Sequence, residues 1–92
     1  MDRQQIITYV NDNRLIEAGD ALRTALSGEP ATADRAWALY MLGRIAWKEG
    51  RSTDAITLYN TAIEADPASE ARVALAQATQ VLNFYHKDLY TP

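Results

Sequence analysis

A segment near the start of the chain recurs 37 positions further on. NRLIEAGDALRTALSGEP (residues 13–30) aligns with GRSTDAITLYNTAIEADP (residues 50–67). The matched pairs are Arg14–Arg51, Glu17–Asp54, Ala18–Ala55, Leu22–Tyr59, Thr24–Thr61, Ala25–Ala62, Leu26–Ile63, Glu29–Asp66 and Pro30–Pro67. Repetition over this length indicates stacked copies of one supersecondary unit, because a single unit cannot bury its apolar face alone.

The spacing of the apolar residues indicates that the repeated unit is helical. Apolar side chains recur three and four positions apart almost everywhere, and no segment alternates as a half-buried strand does. The pattern predicts helices at about residues 2–11, 14–27, 33–49, 52–65 and 69–86, followed by an extended tail at 87–92. Thr32 and Ser69 are the predicted N-caps, Gly50 the predicted C′ glycine, and residues 11–13 a turn that tolerates the left-handed conformation.

Small residues at helical intervals explain how two such helices could meet. Gly43 on the third helix and Ala55 on the fourth would allow a close approach, with Tyr59 and Leu42 filling the flanks of the crossing. Ala62 would leave room for the fifth helix. The sequence therefore predicts antiparallel helical hairpins whose helices cross at small side chains.

Composition and charge narrow the classes of function. Ninety-two residues predict one domain, the absence of cysteine excludes a disulfide, and 48% hydrophobic residues are ordinary for a globular chain. A net charge of −3 argues against nucleic acid or an anionic membrane as partner. The N-terminus shows no signal-peptide pattern and no segment is apolar enough to span a membrane, so we expect a cytoplasmic protein.

The sequence offers no constellation for catalysis. His86 is the single histidine, and although it could act as a base with Asp88, a lone histidine near a helix end favours a structural or incidental role. One histidine without cysteine cannot form a common zinc site, and four scattered glycines exclude the phosphate-loop fingerprints. We therefore expect no catalytic residue, no metal and no cofactor.

Residues 36–69 resemble a tetratricopeptide repeat. The leucine-glycine pair of that family falls at Leu42-Gly43, its inter-helical glycine at Gly50, and the pattern of its second helix at Ala55, Tyr59, Ala62 and Pro67. The sequence departs from the family at Leu39, where tryptophan is frequent, and at Ala46, where tyrosine is frequent. Residues 1–30 resemble a degenerate copy, and the ending LNFYHKDLY is similar to that of small tetratricopeptide-like proteins from Bacteroidetes.

The resemblance implies an all-α fold with about two repeats in a right-handed superhelical stack. It implies a single domain over residues 1–92, made of a degenerate repeat at 1–30, a well-matched repeat at 36–69, a C-terminal capping helix at 69–86 and the tail at 87–92.

The resemblance also implies a protein–protein interaction module. The first helix of each hairpin in that family lines a concave groove, and the partner would be another protein or a peptide. Carried over, this implies a groove formed by Trp37, Tyr40, Arg44, Trp47 and Lys48 on the third helix, Arg3, Ile7 and Val10 on the first, and Ala71, Ala74 and Ala78 on the fifth.

Two other occupants of the same groove stay open at this point. Phe84, Tyr85, Leu89 and Tyr90 could fold back over Trp37 and Trp47, or a second copy of the chain could cover the groove in a symmetric homodimer. The paired lysines and asparagines with which the family clamps a terminal carboxylate do not occur in the stripe. Binding of a chaperone's C-terminal peptide is therefore not expected.

Overall fold

The computed structural model describes residues 1–90, with side chains described for residues 1–84. Within residues 1–90 it contains helices only: α1 (Arg3–Asn11), α2 (Leu15–Ser27), α3 (Thr32–Lys48), α4 (Ser52–Ala65) and α5 (Ala71–Tyr90). The all-α prediction and the order of five helices are confirmed over this range. No helix in the described part of the chain combines the length and apolarity needed to cross a membrane.

The turns inside the two hairpins close in the same way. Asn13, between α1 and α2, and Gly50, between α3 and α4, both have left-handed backbones, with φ of 62° and 81°. Arg14 N–H donates to the Tyr9 carbonyl at 2.7 Å, and Arg51 N–H donates to the Ala46 carbonyl at 2.9 Å. Each is the hydrogen bond that closes a Schellman-type helix end. The predicted left-handed turns are confirmed at equivalent positions of the repeat.

Each hairpin also carries the same ion pair at the start of its second helix. Arg14 pairs with Glu17 and Arg51 with Asp54, the latter at 3.0 Å, and all four side chains are substantially exposed. The hydrogen bond from Arg14 lowers the pKa of the Glu17 carboxyl. Exposed pairs contribute little to stability, so these mark the repeat rather than hold it together.

Two predicted helix ends differ from the structure. Thr32 is the first residue of α3 and not its N-cap, which is Ala31. The extended tail predicted from residue 87 is wrong as far as Tyr90, because α5 continues to that residue. No glycine or proline occurs between Pro67 and Pro92, so no helix-breaking residue interrupts α5. The predicted tail at residues 91–92 lies outside the described residues.

The N-terminal core lies between α1, α2 and α3 and consists of large apolar side chains. Leu22, Met41 and Val10 are its largest fully buried members. The complete buried set is Ile6, Val10, Ala18, Leu22, Trp37, Ala38, Met41 and Ile45. This core buries the faces that one hairpin alone would leave in water, as the repeat pattern predicts.

The C-terminal core, between α3, α4 and α5, has a different composition. Its buried members are Tyr59 and five alanines: Ala46, Ala55, Ala62, Ala71 and Ala78. Alanine brings helix backbones close together, and Tyr59 supplies the large apolar surface. The predicted role of small residues at the helix crossings is thus observed here.

Gly43 is the contact point between α3 and α4. A Cβ atom on Gly43 would lie 2.5 Å from Tyr59 Cε1 and 2.6 Å from Tyr59 Cδ1, far inside van der Waals contact. The tyrosine ring therefore lies directly on the glycine backbone. Tyr59 therefore lies at the centre of the crossing and not at its flank, which corrects the prediction made from the sequence.

We predict that Gly43→Ala destabilises the fold by about 1–2 kcal/mol. The added methyl overpacks the Tyr59 ring at a cost of about 1–3 kcal/mol, and the gain in helix propensity offsets up to about 1 kcal/mol of it. Urea denaturation followed by circular dichroism measures the difference.

Gly28→Ala is the matched control, because its Cβ would meet only the Ala25 carbonyl oxygen, at 3.5 Å. In a Tyr59→Leu background the cost of Gly43→Ala should shrink, since a smaller side chain can move aside. Equal unfolding midpoints for Gly43→Ala and Gly28→Ala would contradict the assigned contact.

Candidate binding groove

A shallow groove runs between α3 and α5, and the start of α1 closes one end of it. The residues of α3 that face it recur at three and four spacing and so share one stripe of the helix. They are Ala33, Ala36, Trp37, Tyr40, Arg44, Trp47 and Lys48. The facing wall consists of Glu70, Val73, Ala74 and Gln77. We call this the α3–α5 groove.

One end of the groove is a recess of about 330 Å³ with an aromatic floor. The rings of Tyr40 and Tyr59 lie 6.2 Å apart between centroids, tilted by 36°. Tyr59 reaches this recess from α4 across Gly43, so the core contact also forms the floor. The remaining lining is Arg44, Trp47, Lys48, Ala74 and Gln77. We call this the basic end.

The floor of the basic end is uncharged at physiological pH, because a phenol ionises only at about pH 10 even when it is exposed. Desolvation raises the pKa of the Tyr59 phenol, the nearby Tyr40 raises it further, and the Arg44 guanidinium opposes both effects. A raised phenol pKa favours the protonated form, so Tyr59 is neutral at physiological pH. The charge of this recess therefore comes from its two cations, Arg44 and Lys48.

Arg44 is partly buried at the basic end. Its nearest polar contacts are the Met41 sulfur, 3.8 Å from Nη1, and the face of Tyr40, 5.9 Å from the guanidinium carbon. Among the side chains of residues 1–84, no carboxylate forms an ion pair with Arg44 or Lys48. The two cations are four residues apart on one helix face and so repel each other.

The other end of the groove is a smaller recess of about 140 Å³ beside the first turn of α1. The Arg3 guanidinium lies 4.9 Å from the Trp37 ring centroid, and its Nη2 lies 2.8 Å from Asp34 Oδ1. Arg3 thus covers the indole while pairing with an acid. Asp66 and Glu70 line the same recess, which we call the acidic end.

The structure brings most of the residues predicted for the groove into these two recesses. Tyr40, Arg44, Trp47, Lys48 and Ala74 lie at the basic end. Arg3 and Trp37 lie at the acidic end, although Trp37 is only 8% exposed.

Four of the residues assigned to the groove walls lie in or against the two cores instead. Val10 is 1% exposed within the N-terminal core, and Ile7 packs against that core. Ala71 and Ala78 are buried against α4 in the C-terminal core. Helical spacing identifies the apolar face of a helix, but the neighbouring helix determines which part of that face stays accessible.

Several residues that line the groove are not among those predicted from the sequence, including Ala33, Ala36, Tyr59, Asp66, Glu70, Val73 and Gln77. Tyr59 is predicted only as a packing residue between α3 and α4, whereas it both packs there and lines the groove. Gln77 is three positions beyond Ala74 and could have been found by the same stripe. Glu70 precedes α5 and is not part of its helical stripe. Its place in the groove depends on the turn at residues 66–70, which periodicity does not describe.

The prediction that C-terminal residues cover Trp37 and Trp47 concerns mainly side chains beyond residue 84, which lie outside the described part of the structure. Tyr85, Leu89 and Tyr90, like the candidate pair His86 and Asp88, lie outside the side chains described. Phe84 is described, and it is 65% exposed. Burial of Trp37 does not test the prediction, because its own core and Arg3 already cover it.

Comparison with known proteins identifies the repeat. A family model described as tetratricopeptide repeat matches residues 4–70, and a second match covers residues 40–79. The first match spans both hairpins and the second extends into α5. Searches of curated proteins and of solved structures found no match.

We predict that Arg3→Ala exposes Trp37 to solvent. In a Trp47→Phe background Trp37 is the only tryptophan of the chain. Quenching of its fluorescence by acrylamide should rise once the Arg3 guanidinium is removed. Stability should fall by only about 1 kcal/mol, because the ion pair with Asp34 is exposed.

Arg23→Ala is the control, since it removes a similar exposed arginine–aspartate pair, with Asp20 on α2. Quenching that is equal in Arg3→Ala and Arg23→Ala would show that Arg3 does not cover the indole.

Proposed function

Because this chain belongs to the tetratricopeptide repeat family, we propose that it is a non-enzymatic interaction module whose α3–α5 groove binds a segment of another protein. Proteins of this family generally mediate protein–protein interactions. The observation that carries the proposal is the basic end, where a partly buried arginine lies against an aromatic floor in a concave recess.

The residue types of the groove support binding of a protein segment. Tyrosine, tryptophan and arginine are the side chains that dominate binding energy at protein interfaces. Tyr40, Arg44 and Trp47 place these three types on one face of α3, next to each other. Aromatic rings lose little conformational entropy when a partner orders them, which makes such a cluster an efficient anchor.

The length of the groove favours a short extended segment. Ala33 and Lys48 mark its ends on α3, about 22 Å apart at the rise of an α-helix. An extended chain of about seven residues covers that length. The small side chain of Ala74 on the facing wall leaves space for side chains of the bound segment, and the Gln77 amide can hydrogen-bond to its backbone.

Self-association is the second candidate function, and the composition of α5 favours it. Residues 73–85 (VALAQATQVLNFY) contain no charged side chain. Within this run Val73 is 64% and Val81 43% exposed. Depletion of charge together with exposed apolar side chains is typical of interface cores. Because Val73, Ala74 and Gln77 in this run also line the α3–α5 groove, a homodimer through this face would compete with a bound peptide.

We predict that selection from a displayed library of random heptapeptides yields ligands for the groove. Titration of a selected peptide into the ¹⁵N-labelled chain should shift amide resonances of α3 and of residues 70–77. Tyr40→Ala and Arg44→Ala should each weaken binding about 5- to 30-fold, corresponding to roughly 1–2 kcal/mol at an anchor residue.

Arg35→Ala is the matched control. Arg35 is on the same helix as Arg44 and is exposed, but it does not line the groove. Light scattering of the same samples gives the oligomeric state. Resonance shifts confined to α2, or equal binding by the Arg44 and Arg35 variants, would refute the proposed groove.

A further inference from the structure

The two ends of the α3–α5 groove carry opposite charge. Arg44 and Lys48 lie at the basic end, while Asp66 and Glu70 lie at the other end, where the single cation Arg3 is already paired with Asp34. The chain as a whole is acidic, with a net charge of −3. Arg44, which is partly buried, and Lys48, which is exposed, therefore reverse the protein's overall charge locally.

The cations of the basic end differ from most other arginines with described surroundings. Arg3, Arg14, Arg23 and Arg51 each form an ion pair with an aspartate or glutamate. Lys48 gains from its position in the last turn of α3, where the helix dipole favours a cation. Arg44 is a full turn further in and has no such compensation. Its partial burial beside Lys48 therefore favours an anion from outside the chain.

The acidic end has the opposite preference. Asp66 accepts a hydrogen bond from the Ala68 N–H at 3.0 Å, which keeps its carboxylate at the turn before α5. Glu70 is exposed and lines both this recess and the adjoining stretch of the wall. A carboxylate on a bound segment would be repelled here by Asp66 and Glu70. Arg3 could not compensate this repulsion, because it is already paired with Asp34.

We propose that the segment bound by the α3–α5 groove is acidic at one end only. This inference rests on the proposed function of the groove and specifies its ligand. Carboxylates at one end contact Arg44 and Lys48, apolar side chains cover Tyr40 and Tyr59, and the other end carries no carboxylate. The two recesses share Tyr40, and their α3 residues are centred about 12 Å apart along the helix, which is the length of about four extended residues.

Four capped heptapeptides test this charge asymmetry. Glu-Glu-Ser-Tyr-Leu-Gln-Gln and Gln-Gln-Ser-Tyr-Leu-Glu-Glu are acidic at one end, in either chain direction. Gln-Gln-Ser-Tyr-Leu-Gln-Gln is neutral, and Glu-Glu-Ser-Tyr-Leu-Glu-Glu is acidic at both ends. Amide resonance titrations at low ionic strength measure the dissociation constants, since salt screens exposed charges.

One of the two peptides with a single acidic end should bind about three- to tenfold tighter than the neutral peptide, as two exposed charge contacts allow. It should also bind more tightly than the peptide that is acidic at both ends. The double variant Arg44→Gln/Lys48→Gln should abolish the first difference. The double variant Asp66→Asn/Glu70→Gln should abolish the second.

Arg35→Gln is the control for a change in net charge, and it should leave both differences intact. If all four peptides shift the groove resonances with equal affinity, the charge asymmetry is refuted while the groove stands as a binding site. If none of them shifts those resonances, the asymmetry is refuted too, and the selection from random peptides decides independently whether the groove binds at all.

Discussion

The contact between the Tyr59 ring and the backbone of Gly43 connects the fold of this chain to its groove. Without a side chain at Gly43, the ring contacts the backbone of α3 and still reaches the groove beyond it. The same aromatic ring therefore packs two helices together and provides the floor of the basic end. A side chain at position 43 would separate the helices and displace the floor in one step, so this contact constrains stability and binding together.

The alanines of the C-terminal core determine how the facing wall of the groove is placed. Ala62 on α4 and Ala71 and Ala78 on α5 are buried together, so α5 packs on α4 through methyl groups. These contacts fix which side of α5 faces α4, and they leave Ala74 and Gln77 facing the groove. The position of the facing wall therefore depends on the close approach of the α4 and α5 backbones.

Most of the fold could be predicted from the sequence, because both hairpins carry the same helix spacing and the same turn residues. Asn13 and Gly50 occupy equivalent positions and both adopt the left-handed backbone. The groove was predicted less completely. Helical spacing places Val10 and Tyr40 on apolar faces alike, yet Val10 is enclosed by two other helices and Tyr40 lines a recess. Which member of a stripe stays accessible depends on crossing positions, and those are set by contacts between segments distant in sequence.

The electrostatics of the groove follow from the same packing. The Tyr59 phenol is protonated at physiological pH, and burial raises its pKa further, so the floor beside Arg44 supplies no negative charge to the guanidinium. In the proposed complex a carboxylate of the bound segment would supply this charge, because part of it can remain in water while it contacts Arg44. The packing of Tyr59 on Gly43 therefore leaves Arg44 beside a neutral floor, and this arrangement is the basis of the proposed acidic ligand.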